Sequence, residues 1–148
     1  MKIEKAKYKK NHDLKRNFTI SQFIEINVGD RCFDMHNDFD LLHLRVAFDG
    51  GAVFLEFEHT AAEYKGGRLV FSFSGVRNLS IGVRDAAYPA SSDRTLEYIG
   101  FADELTEGDE FIEDDAAGPE MDLKFGFESK MHIRIGSDEA IAQYIAVN

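Results

Sequence analysis

The residues that could do chemistry in this chain fall in two short stretches. The longer one is acidic. Asp103, Glu104, Glu107, Asp109, Glu110, Glu113, Asp114, Asp115, Glu120 and Asp122 put ten carboxylates into twenty residues, with no Lys or Arg among them. The only large apolar residues there are Leu105, Phe111, Ile112 and Met121. Such a run is a solvated loop, a calcium site or a docking surface for a cationic protein. Separated carboxylates steer a basic partner and speed its association. Asp109, Glu110, Glu113, Asp114 and Asp115 are the candidate partner-binding residues on the docking reading.

The second stretch is Asp34, His36, Asp38 and Asp40, at a spacing of two. In an extended segment all four project from one side, and carboxylate with imidazole is ligand chemistry. An EF-hand loop needs glycine at its sixth position, and Phe39 stands there. A solvated loop is the expectation, with no metal and no cofactor assigned. Among the other histidines no pair has the spacing of a zinc helix or finger. His43 and His132 fall on polar faces near Arg45 and Arg134, and would share a patch with Glu56, Glu58 and Lys124 if their strands were neighbours. An open sheet face holds no acid or base beside a substrate cleft, so catalysis is not expected. Cys32 has only Asp30 and Asp34 nearby, which would raise its pKa, and it reads as a buried structural thiol. No serine elbow, dinucleotide fingerprint or phosphate loop is present.

The elements that carry these residues alternate apolar and polar with period two, the mark of strands with one buried face. Phe18, Ile20, Gln22, Ile24, Ile26 and Val28 line one face of a strand over 17–28. Leu42, Leu44, Val46 and Phe48 face inward on the next, Asp49-Gly50-Gly51 turns the chain, and Val53, Leu55 and Phe57 return. Leu69, Phe71 and Phe73 follow. Gly75-Val76-Arg77-Asn78 breaks the pattern as a bulge before Leu79, Ile81 and Val83. Leu96 and Tyr98 share one face of a further strand, with Ile99 and Phe101 on the other. Met121, Leu123, Phe125 and Phe127 then pair through the short Ser129-Lys130 link with Met131, Ile133 and Ile135. After Ser137-Asp138-Glu139, a short C-terminal helix carrying Ile141, Tyr144 and Ile145 and a last strand are both consistent. The fold class is mainly β: an antiparallel β-sandwich or closed barrel of about eight strands.

Length and charge bound the rest. At 148 residues the chain reads as a single β domain, 1–148, preceded by a basic and flexible arm or a poorly buried strand over 1–16. That segment holds Lys2, Lys5, Lys7, Lys9, Lys10, Lys15 and Arg16 against Glu4 and Asp13. A formal charge of −10 argues against nucleic acid as a partner. One cysteine excludes a disulfide framework, and no apolar run suits a leader or a membrane span, so cytoplasmic residence is the expectation.

The run Leu69-Val-Phe-Ser-Phe-Ser-Gly-Val-Arg-Asn-Leu-Ser-Ile81 resembles one found in small bacterial proteins of unknown function, some of them regarded as immunity proteins that neutralise a toxin. The resemblance covers 13 residues and carries no catalytic group. It implies an acidic β protein that binds a partner and performs no reaction. The expected function is therefore non-enzymatic protein binding, in its sharp form an immunity-type inhibitor of a basic protein. The alternative is a small-molecule carrier, with an apolar ligand inside a β-barrel whose interior is rich in Phe.

Overall fold

The computed structural model of the protein describes residues 14–118 and 120–147, so most of the basic segment lies outside the described residues. Among these residues the chain forms twelve strands and three short 3-10 turns. The strands are β1 (Lys15–Arg16), β2 (Thr19–Ser21), β3 (Glu25–Val28), β4 (Arg31–Asp34), β5 (Phe39–Ala47) and β6 (Ala52–His59). They continue with β7 (Arg68–Ser74), β8 (Asn78–Gly82), β9 (Leu96–Ala102), β10 (Asp122–Phe127), β11 (His132–Gly136) and β12 (Glu139–Ile145). They build a five-stranded sheet, β1-β12-β7-β6-β5, a four-stranded sheet, β8-β11-β10-β9, and a three-stranded meander, β2-β3-β4. Pairing is antiparallel except between β1 and β12. None of these sheets closes into a barrel.

The two larger sheets meet face to face through phenylalanine. Phe71 packs edge-on against Phe125 with ring centroids 5.3 Å apart, and Phe57 lies 6.2 Å from Phe125 and 6.5 Å from Phe127. All four are buried, together with Leu55, Leu69, Phe73, Leu123, Ile133 and Ile135. Edge-to-face rings align positive edges with negative faces, which adds to the gain from area buried. These positions are the alternating residues that the sequence places inward.

Several expectations are corrected. The segment 17–28 is a hairpin, not one strand: Gln22 and Phe23 have φ of 49° and 48°, and β2 turns back on β3. Left-handed backbone costs roughly 1–2 kcal/mol at a residue with a Cβ. Here the turn is held from outside, because the Ile99 N–H donates to the Phe23 carbonyl at 2.6 Å. In β5 the register shifts between Leu41 and His43, so Phe39 and Leu41 share the core face with Leu44, while Leu42 is left outside; Leu44 packs on the core as expected, but Val46, opposite Val53, and Phe48 beyond the strand end are exposed. The break at Gly75–Asn78 is no bulge: the chain leaves the five-stranded sheet after β7 and enters the other as β8. Of the two readings left open for the C-terminal segment, the strand is the one found: it is β12, beside β7, with Ala140 and Ala142 buried, and not the short helix. The count of twelve strands against about eight follows from the division of 17–28 into β2 and β3, from β12, and from the short strands β1 and β4, which the sequence reading does not contain.

A single bulge reorients β9. In the β9–β10 ladder Tyr98 faces Gly126 while Leu96 faces Phe127, so Glu97 is the extra residue. Leu96, Ile99 and Phe101 therefore share the core face and Tyr98 turns to the outer one, which corrects the expected grouping of Leu96 with Tyr98.

Phe71→Ala and Phe125→Ala each remove a fully buried ring from the seam between the sheets. Each should lower the unfolding free energy by about 3–5 kcal/mol in urea titrations, with the slope unchanged. A loss under about 1 kcal/mol at both would contradict the packing described.

Candidate functional site

The acidic stretch is not a free loop. Between β9 and β10 the chain folds back over the outer face of the four-stranded sheet. Phe101 and Ile112 exchange both backbone hydrogen bonds, at 2.8 and 2.7 Å, which covers the free edge of β9. The Phe111 ring stacks on Tyr98 with centroids 4.5 Å apart and planes 14° off parallel. Glycines make room for this. A Cβ at Gly100 would stand 2.6 Å from the Phe111 ring, and one at Gly126 would overlap the Tyr98 ring.

Lys124 joins the excursion to the sheet. It stands on the outer side of β10, yet only 2% of it is exposed. Its Nζ donates to the carbonyls of Gly108 at 2.6 Å and Glu110 at 2.7 Å, and lies 5.8 Å from the centre of the Tyr98 ring. Burial, then the neighbouring Arg134 charge, pull its pKa down, and Asp109 and Glu110 oppose them. A buried ammonium is tolerated only where acceptors replace its water, and here the loop's own carbonyls do so.

Asp114 is a second anchor. Its Oδ2 accepts from Arg16 Nη1 at 2.9 Å and from the Ile20 N–H at 2.6 Å, and its Oδ1 accepts from Arg16 Nη2. Partial burial works against the ionised form, but the Arg16 and Ile20 donors outweigh it and hold the carboxyl below its usual range. The Arg16 guanidinium also lies 4.9 Å from the centre of the Phe101 ring. Asp122 is used internally too, accepting from Arg134 Nε at 2.6 Å and from Asn78 at 3.0 Å. Asp103 closes its own turn, accepting from the Leu105 N–H and the Thr106 hydroxyl at 2.9 Å.

The five candidate residues therefore divide. Glu113, Asp114 and Asp115 line an open groove of about 240 Å³, whose other wall is the turn at Phe23 and Ile99. Asp109 and Glu110 lie on the Lys124 side of the excursion. Glu110, Glu113 and Asp115 are exposed, and Asp109 is exposed with its carboxylate 3.6 Å from Lys130 Nζ. Asp114 alone faces inward, as an ion-pair anchor. Lys124, Tyr98, Arg16 and Phe23 support the surface without being legible as its members. The usable signals were Phe111 and Ile112 within an acidic run, and a lysine followed two residues later by glycine in β10.

No protein-family model, curated protein or solved structure matches the chain.

The remaining candidates are built otherwise than as sites. Asp34 accepts from the backbone of His36 at 3.1 Å and from the backbone and side chain of Asn37, closing a turn. Burial opposes its ionisation, and the Asn37 donors more than offset that. His36 Nδ1 lies 2.6 Å from the Leu96 carbonyl. Among the described residues no three His, Cys, Asp or Glu side chains converge as a metal site would require. His43 pairs with Glu56 at 2.8 Å on the five-stranded sheet, while His132 stands on the four-stranded one, so the expected shared patch is two separate surfaces. Cys32 is exposed, not buried, because β4 is the outer strand of its meander. Partial desolvation, then Glu25 and Asp34, push its thiol up, so a nucleophilic role gains no support.

Asp114→Asn should lower stability by about 1–3 kcal/mol at neutral pH, the size of hydrogen bonds to a charged partner. The sign with pH follows from the depressed carboxyl. Its contribution is fully present above the unfolded value near pH 4 and is lost as pH falls through the folded value. The gap between the wild type and the variant should shrink below about pH 4 in thermal melts. A gap that stays constant or widens there would contradict the Arg16–Asp114 anchor.

Proposed function

We propose that the protein is a non-enzymatic binding domain whose acidic excursion docks a basic protein, as an immunity-type inhibitor would. The observation that carries this reading is the fixing of the excursion. Lys124, the Phe101–Ile112 bridge and Asp114 hold its backbone at three points, leaving Glu110, Glu113 and Asp115 on the outside. A solvated loop needs no such anchoring. A prearranged set of carboxylates binds without first paying the entropy of ordering its own backbone. The groove beside Phe23, with apolar floor and acidic rim, suits a Lys or Arg side chain, whose stem is apolar and whose tip is charged. Phenylalanine fills the space between the two main sheets, which favours binding at the surface over a carrier with an apolar ligand inside. No helix of the described residues is long and apolar enough to cross a membrane.

Capture from the native cell followed by kinetics tests the reading. The variant Asp109→Asn/Glu110→Gln/Glu113→Gln/Asp115→Asn keeps Asp114 and should melt as the wild type does. Its partner should be cationic and should associate at least about tenfold more slowly with the variant at low salt, with a smaller change in dissociation. Raising the salt to about 0.5 M should bring the two association rates together, because separated surface charges are then screened. A partner that associates equally fast with both proteins, with no salt dependence, would overturn the acidic dock.

A further inference from the structure

His59 ends the buried alternation of β6. It follows Val53, Leu55 and Phe57 on the core face and is 7% exposed, although it is polar. Its ring is stacked between those of Phe39 and Tyr64, with centroids 4.4 and 5.1 Å away and planes 16° and 13° off parallel. Its Nδ1 lies 2.7 Å from the Tyr144 hydroxyl, and Gly67 makes room for that hydroxyl, since a Cβ there would overlap it. Only one ring nitrogen is satisfied in this way. Nε2 has no hydrogen-bond partner among the described residues and is not sealed in the core. His59 instead lines an open pocket of about 270 Å³.

Arg31 and Asp38 line the same pocket. They carry opposite charges, yet among the described residues neither forms an ion pair, with the other or with anything else. The Arg31 guanidinium lies 4.8 Å from the centre of the Phe33 ring and 4.6 Å from that of Tyr144. Stacking uses the face of a guanidinium and leaves its N–H edges free. Burial lowers the His59 pKa most; Asp38 opposes the fall and Arg31 adds to it. A neutral imidazole has one N–H. With the Tyr144 hydroxyl donating to Nδ1, that N–H is on Nε2 and donates into the pocket. Apolar walls come from Phe33 and Phe39.

We infer that this pocket binds a free α-amino acid with an apolar side chain. Its carboxylate would accept from Arg31 and His59 Nε2–H, its ammonium would donate to Asp38, and its side chain would lie on the phenylalanines. The pocket shares no residue with the acidic groove, so this does not rest on the acidic dock. A simple anion would be drawn to Arg31 and repelled by Asp38, and a simple cation the reverse. Only a ligand with both charges close together gains from both walls. The volume is below the usual range for drug-sized ligands, which suits a molecule this small. Asp38, His59 and Cys32 do not converge as metal ligands would, so the polar groups call for an organic ligand.

The probe is L-phenylalanine, titrated into the full chain by isothermal calorimetry. Binding should saturate at one site per chain with a Kd below about 1 mM. Hydrocinnamate lacks the ammonium and phenethylamine lacks the carboxylate. Each should bind at least about tenfold more weakly, the scale of one hydrogen bond to a charged group. Asp38→Asn should weaken phenylalanine by about tenfold and leave hydrocinnamate no weaker. Arg31→Gln should weaken phenylalanine as much and leave phenethylamine no weaker. If Arg31→Gln melts early because stacking on Phe33 and Tyr144 is lost, the Asp38→Asn comparison decides alone. Cys32, the one cysteine of the chain, is exposed and also lines the pocket. Saturating phenylalanine should therefore slow its reaction with an aromatic disulfide reagent. No saturable binding of L-phenylalanine or L-leucine by about 10 mM would overturn the pocket. So would equal affinity for phenylalanine and hydrocinnamate, or phenylalanine binding that Asp38→Asn leaves unchanged.

Discussion

The ammonium of Lys124 lies beneath a stretch of chain that carries ten carboxylates and no cation of its own. Left alone, such a stretch repels itself and the acidic protein to which it belongs. Its backbone carbonyls, however, are acceptors like any others, and those of Gly108 and Glu110 converge on Nζ. The bonds are charge-assisted and shielded from water, where such bonds are strong. The dependence is mutual. Without the carbonyls Lys124 would be a bare charge in the fold, and without Lys124 the centre of the excursion would lose its polar attachment to β10.

Much of the local sequence serves that arrangement. Gly100 leaves room for Phe111, and Gly126 for Tyr98, so two rings stack flat on a sheet face that would otherwise meet solvent. The bridge from Phe101 to Ile112 and the bond from Ile99 to Phe23 occupy the outer edge of β9. Open strand edges invite pairing with other chains, and this one is sealed by the excursion and by the Gln22–Phe23 turn. Arg16 ties the far end down through Asp114. The acids thus fall into two groups: Asp103, Asp114 and Asp122 hold the structure together, while Glu110, Glu113 and Asp115 face out.

Period-two alternation made the core legible. Val53, Leu55, Phe57, Leu69, Phe71, Phe73, Leu123, Phe125, Phe127, Ile133 and Ile135 are buried where their alternation places them. The pattern fails where the strand itself is irregular. The shift at Leu41/His43 puts Phe39 and Leu41 on the same face as Leu44, and the extra Glu97 puts Leu96 on the same face as Ile99; neither leaves a mark in the local sequence. The turn at Gln22-Phe23 was hidden because neither residue is a turn former; a tertiary hydrogen bond holds it. The acidic residues were visible, but their division into anchors and exposed groups depends on residues outside the run: Arg16 holds Asp114, Arg134 holds Asp122, and Lys124 holds the backbone at Gly108 and Glu110. Cys32 illustrates the same limit, since its exposure follows from the order of strands in a meander and not from its type.

Amide hydrogen exchange tests the central claim, that the acidic excursion is a fixed surface anchored on Lys124. In the wild type the Ile112 amide should be protected at least about a hundredfold, as a bonded bridge in a closed structure would be. In Lys124→Met, which keeps the bulk and removes the charge, that protection should fall sharply while the Phe125 amide in the core stays protected. Unprotected exchange at Ile112 in the wild type, or unchanged protection in the variant, would contradict the account.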